Sequence, residues 1–165
     1  MIQIKNAAEL QKMRKACAIS AAALKAGGEA IEPGITTAEI DKIIYDFIVR
    51  HGARPNFLHL YGFPATACIS VNDTVIHGIP SKQQQIRPGD IVSIDTGCKI
   101  DGFNGDNACT YGCGKLDLEA QRLLDVTKES LHRGIEMARG GNRVGDIGHA
   151  VQLSLIHISE PTRPY

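Results

Sequence analysis

The dipeptide Asp101-Gly102 constrains this chain more than any other feature, because Asp-Gly between two β-prone runs specifies a two-residue hairpin turn. The flanking runs, residues 92–99 and 103–111, are rich in Val, Ile, Thr, Phe and Tyr. With Asp101 and Gly102 as the turn, Ile100 faces Phe103, Gly97 faces Asp106 and Asp95 faces Ala108. Side chains alternate along a strand, so Asp95 and Asp106 share one face as diagonal neighbours, roughly 7–8 Å apart at Cα. That face reads Ser93, Asp95, Gly97, Lys99, Asn104, Asp106, Ala108 and Thr110, which is polar and mostly small. The opposite face carries Ile94, Cys98, Ile100, Phe103 and Cys109, with Thr96, Gly105 and Asn107 among them, and is expected to be the core face. A slip of one residue would send the two acids to opposite faces.

Two carboxylates on one face repel unless a cation joins them or one holds a proton. Oxygen ligands alone suit Mn, Mg or Ca, and an added imidazole favours Fe, Co or Zn. The same face also fits a solvated hairpin surface with two ordinary acids. His77, in the stretch His77-Gly78-Ile79-Pro80 upstream, and the small residues around the acids favour a functional site.

The stretches HGIP (77–80), SIDTG (93–97) and GDNACT (105–110) resemble, in order and spacing, the type I methionine aminopeptidases. IEPGITTAEID (31–41), GFPATACISVND (62–73) and RPGDIVSIDTG (87–97) support the resemblance, which runs from near Ile4 to near Gln152. It implies an α+β chain forming the N-terminal half of a pita-bread (creatinase/aminopeptidase-like) fold, a curved antiparallel sheet backed by helices. It further implies metal-dependent removal of the initiator methionine from nascent proteins. Two divalent ions (Co, Mn, Fe or Zn) would acidify water and polarise the scissile carbonyl. Asp95 would hold one ion and Asp106 would bridge both. His77 would contact the substrate near the scissile amide, and Phe63 and Cys68 would line the pocket for the methionine side chain. His59, Leu60 and Tyr61 depart from the family pattern, which begins glycine-tyrosine there. In that family a histidine and two glutamates from a second half complete the metal site, so this chain by itself is expected to be inactive. The rival implications are a proline-directed peptidase of the same fold and a non-catalytic peptide-binding module.

The rest of the chain reads as scaffold. A helix is expected over 6–27, with Asn6 and Glu9 as a capping box and Leu10, Met13, Cys17, Ala21 and Leu24 as its apolar stripe, ended or frayed by Gly27-Gly28. A second follows the turn Glu32-Pro33-Gly34, capped by Thr36 and Glu39, with Ile40, Ile43, Ile44, Phe47 and Ile48 on its inner face. His51 closes that helix. Residues 54–64 form an apolar loop, Ala67–Val71 a strand, and residues 75–80 present His77. A long helix over 117–139 is expected to bury Leu124, Leu131, Ile135 and Ala138, with Leu123 alongside. A short helix starts near Val144 with Ile147 and Val151 inward, and His132 and His149 are given structural or solvated places. Residues 153–163 (LSLIHISEPTR) resemble the translation of a sequencing-library adapter. The expected division is therefore 1–152 as half of a catalytic domain and 153–165 as a non-native tail.

Composition bounds the partners. Eighteen basic and eighteen acidic residues cancel, which gives no polyanion-binding footprint, and no apolar run approaches a membrane span. The N-terminus lacks the continuous apolar core of a signal peptide. The five cysteines show no zinc-finger spacing and read as reduced thiols, with Cys98 and Cys109 buried. The expected protein is a cytoplasmic monomer acting on nascent polypeptide N-termini, with the ribosome as a candidate partner.

Overall fold

Asp101 and Gly102 adopt φ of 53° and 84°, so both central residues of the turn lie in the left-handed region. That is the geometry of the type I′ turn, whose twist matches that of the flanking strands. The strands it joins are β3 (Ile91–Ile100) and β4 (Phe103–Gly112). Their register pairs Ile100 with Phe103, Gly97 with Asp106 and Asp95 with Ala108, as the turn predicts.

The computed structural model describes residues 3–159 and contains two compact units, Met1–Leu116 and Asp117–Tyr165. In the first unit, α1 (Ala7–Glu29) and α2 (Thr37–Arg50) precede the sheet. β3 is its central strand, with β4 along one edge. β2 (Ala67–Val71) and the two-residue β1 (Arg54–Pro55) share the other edge, all antiparallel. Burial along β3 alternates, with Val92, Ile94, Thr96 and Cys98 all at 0% exposure. The helices cover that face, which makes the unit α+β.

Both capping boxes form. Asn6 accepts from Glu9 N at 2.9 Å and Thr36 from Glu39 N at 3.2 Å, while each glutamate reaches back to its cap. On α2, Ile40, Ile44 and Ile48 are wholly buried. Each contributes about 1.5–3 kcal/mol relative to an exposed side chain. His51 closes α2, its Nδ1 2.8 Å from Phe47 O and its ring stacked on Phe47.

The expected face of α1 is corrected. Leu10, Cys17 and Ala21 are exposed, and the buried residues are Ala16, Ser20, Ala23, Leu24 and Gly27. Small residues face the sheet because the helix lies close upon it. Cys98 Sγ lies 3.5 Å from Ala16 O, Ser20 Oγ donates to Thr96 O at 3.1 Å, and a Cβ on Gly105 would collide with the Ala16 carbonyl. Nor do Gly27 and Gly28 end the helix. They let it run on through crowded ground: a Cβ at Gly27 would stand 2.7 Å from Ile44 Cδ1, and one at Gly28 would enter the Tyr111 ring. Cys109 is exposed, not buried as expected: it lies on β4, which forms the outer strand among the described residues.

The second unit, taken by itself, is a helix pair, α3 (Leu118–Met137) and α4 (Val144–Ser159). Asp117 caps α3 through Ala120 N at 2.7 Å. Its buried residues are Val126, Ser130 and Gly134, whereas Leu123, Leu131 and Ile135 are exposed, which corrects the expected apolar face. The reason is again close approach, since a Cβ on Gly134 would stand 2.8 Å from Val151 Cγ2. α4 is longer than expected and carries helix through Ser159. The remainder of the expected tail, 160–165, lies outside the described residues.

The contact at Gly105 yields a prediction. G105A places a methyl against backbone that cannot rotate away, so urea unfolding should show a loss of about 1–3 kcal/mol. A neutral outcome would mean that α1 does not lie on β4 at this distance.

Candidate active site

The hairpin sets the chemistry. Asp95 sits at mid-strand in β3, paired with Cys68 of β2 on one side and Ala108 of β4 on the other. Asp106 pairs with Gly97, one step along on the same face. Its carboxyl comes within hydrogen-bonding reach of Asp95. Two carboxyl groups can hydrogen-bond only when one keeps a proton. Burial, followed by the charge of Asp106, accordingly pushes the Asp95 carboxyl above its ordinary value, with His77 acting in the opposite sense.

Gly97 keeps this face open. A Cβ there would stand 3.2 Å from Asn56 Nδ2 and 3.4 Å from Phe57 Cε1. The missing side chain is thus replaced by the loop that follows β1, held by Asn56 N donating to Gly97 O at 2.9 Å.

His77 arrives from the segment that follows β2. The chain doubles back there: Gly78 N donates to Ser70 Oγ at 3.1 Å, and Gly78 O accepts from Ile69 N at 2.8 Å. A Cβ on Gly78 would collide with the Ile69 carbonyl, so only glycine permits this approach. His77 itself has φ of 58°, a left-handed conformation that costs a non-glycine residue about 1–2 kcal/mol. Strained positions of this kind cluster at functional sites.

His77 and Asp95 line two adjoining cavities. One, of about 440 Å³, is walled by Phe57, Phe63, Pro64, Cys68 and Ile79, with Leu60 and Tyr61 also on its lining. It is apolar with a few polar groups, the usual composition of a small-ligand pocket. The other, of about 230 Å³, is lined by Ser70, Ser93 and Thr110 among others, and the Ser93 and Thr110 hydroxyls hydrogen-bond at 2.8 Å. The structure therefore gathers Asp95, Asp106, His77, Phe63 and Cys68 in one place. Cys68 is buried, and burial together with Asp95, Asp106 and Asp41 pushes its thiol up to about 11. It is a wall, not a nucleophile.

A larger hollow, of about 750 Å³, lies along residues 71–74 and 81–90. Its Asp90 is already engaged by Asn72 Nδ2 and Arg87 N, both at 2.8 Å, and it contains none of the expected site residues.

Sequence reasoning missed Asn56, Asp41 and the Ser93–Thr110 pair. Ser93 and Thr110 were readable as opposite positions on the site face. Asn56 and Asp41 reach the site only through tertiary contacts and carry no local signal. The departure at His59 also has a structural counterpart. His59 has φ of 69°, a backbone position where glycine is the default, which matches the glycine expected there.

As a cation site, the donor set is partial. Among the described residues no group of three or more His, Cys, Asp or Glu side chains is placed to hold a metal. Asp95 and Asp106 nevertheless suit a hard divalent ion, whose charge would offset the repulsion between them.

The raised Asp95 value fixes the sign of a pH effect. Above the ordinary carboxylate value the folded state holds this proton more firmly than the unfolded state, so metal-free stability falls as pH rises through that window. D106N removes the neighbouring charge and should flatten the fall. Urea midpoints measured in chelator from pH 4 to pH 7 check this, and parallel profiles for wild type and D106N would rule out the carboxyl pair.

Residues 11–159 match metallopeptidase family M24. Methionine aminopeptidase of Clostridium perfringens is 48% identical over 152 residues, covering 92% of this chain and 61% of that protein. Methionine aminopeptidase 1 of Mycobacterium tuberculosis is 44% identical over 148 residues, 90% of this chain and 56% of that one. The crystal structure of methionine aminopeptidase from Thermotoga maritima superposes with a TM-score of 0.92 at 35% identity, over 96% of this chain and 64% of its own. Aminopeptidase P from Escherichia coli, at 24% identity and a TM-score of 0.80, shares the fold alone. The chain thus spans about 61% of the length of the first curated relative it matches. Its α+β architecture is that of the pita-bread fold, and the chain belongs to metallopeptidase family M24.

Proposed function

We propose that residues 1–152 are the N-terminal half of a methionine aminopeptidase catalytic domain, and that the whole protein removes the initiator methionine from nascent chains. The observation that carries this reading is the carboxyl pair Asp95 and Asp106 beside an apolar pocket shared with His77. Among solved structures, a methionine aminopeptidase reaches 36% identity, against 24% for aminopeptidase P and 22% for prolidase, which favours methionine over proline-directed specificity. Retention of both acids speaks against a non-catalytic binding module. Residues 153–165 are read as foreign to the domain on the strength of their own sequence, although the family match and α4 both run through 159.

In this mechanism Asp95 and Asp106 would hold the divalent ions. The chemistry a bound metal would supply there is polarisation of the scissile carbonyl and acidification of water. His77 hydrogen-bonds the substrate near the scissile amide, stabilising charge that develops there. Phe63 and Cys68 receive the methionine side chain and exclude water from it. The setting is the cytoplasm, the enzyme is a monomer, and the substrates are nascent polypeptide N-termini, encountered free or at the ribosome. No described helix is long and apolar enough to cross a membrane.

The test uses the gene-completed chain with Mn or Co, assayed on Met-Ala and Xaa-Pro peptides. Release of methionine is expected. Cleavage of Xaa-Pro alone would transfer the chain to the proline-directed rival, and peptide binding without cleavage to the binding module. D106A should abolish turnover and D95A nearly so. H77A should retain both ions while kcat falls by about 10²–10³; loss of both ions in H77A would make it a ligand. Residues 1–152 alone should release no methionine, since two carboxylates fall short of the roughly six ligands a hard ion takes.

A further inference from the structure

We propose that Asp41 is a positioning residue for the substrate pocket, clamping the chain where one wall of the pocket turns into the strand that carries the other. Asp41 lies on α2, remote in sequence from the site. Its Oδ1 accepts from Thr66 N at 2.9 Å and from Ala67 N at 2.8 Å. Successive amides converge on one oxygen only where the backbone turns, forming an anion-binding concavity. The turn falls between Pro64 and Cys68, and both of these line the apolar cavity. One residue beyond the clamp, Cys68 pairs with Asp95 across the ladder.

The surroundings make the clamp stiff. Thr66 and Ala67 are buried, at 1% and 0% exposure, so water cannot readily replace the carboxylate as their acceptor. Thr66 O is held in turn by Thr96 Oγ1 at 3.5 Å. Burial pushes the Asp41 carboxyl above its ordinary value and the two amides draw it back, as expected for an acid retained for its bonds. Asp41 therefore fixes the distance between Phe63 and Cys68, and with it the width of the pocket, without touching substrate.

This inference rests on the methionine-pocket reading, and the test separates the two. In the gene-completed chain, D41A should raise KM for Met-Ala about tenfold while kcat stays within about threefold, because uniform binding is lost and the reacting groups remain in place. D41N keeps the Oδ1 acceptor and should bring KM back to within about threefold of wild type. In the present chain, D41A should speed iodoacetamide labelling of Cys68 about tenfold, read on its own peptide because Cys17 and Cys109 are exposed. Wild-type KM and Cys68 labelling in D41A would overturn the positioning role. So would a D41N whose KM rises about tenfold above wild type, which also decides the matter if D41A fails to fold. A completed wild type that releases no methionine would instead sink the functional reading, leaving the labelling result to judge the clamp.

Discussion

Everything at the site depends on the register of one hairpin. The left-handed pair Asp101-Gly102 closes a two-residue turn, and each residue in β3 then has a single partner in β4. A hairpin with one face against helices cannot slip by one position, since Val92, Ile94, Thr96 and Cys98 would leave the core together. The burial that stabilises the sheet therefore also holds Asp95 and Asp106 side by side. Burial first, and the charge of Asp106 second, hold the Asp95 carboxyl above its ordinary value there.

Around this hairpin the packing is governed by the absence of side chains. Gly105 admits the backbone of α1, Gly28 admits the Tyr111 ring, Gly78 lets the His77 segment lie on β2, and Gly97 opens the site face to Asn56 and Phe57. At such contacts the closest surfaces are backbone and small residues. The inner face of α1 is accordingly Ala16, Ser20, Ala23, Leu24 and Gly27, a set with little hydrophobic contrast to its neighbours. Gly134 plays the same part between α3 and α4. Periodicity of large apolar residues located α2, where Ile40, Ile44 and Ile48 fill the core, and misplaced the inner faces of α1 and α3, where closeness replaces bulk.

The site combines two kinds of support. Asp95 and Asp106 stand on paired strands, a rigid base suited to ion ligands. The pocket wall is loop, from Phe57 through Pro64, with His59 and Tyr61 both at positive φ. Its shape is imposed by neighbours: Asn56 bonded to Gly97, Thr66 and Ala67 bonded to Asp41. The two supports meet at Asp95 and Cys68, which pair across the ladder and both line the apolar cavity.

By itself the sequence determined the turn, the register, both capping boxes, the strand Ala67–Val71 and the shared face of the two acids. All of these follow from local rules that act over a few residues: φ preference at Asp-Gly, alternation along a strand, and a side chain reaching three residues to an amide. The family resemblance added Phe63 and Cys68 as candidate site residues and gave His77 its candidate role. Only the tertiary structure decided which face of α1 is inside, that Cys109 is exposed, that Asn56 closes over Gly97 and that Asp41 holds the mouth of β2. Those depend on how near two distant segments come, and that distance is set by the volumes of residues on both, Gly105 against Ala16 above all, which no window along one segment contains.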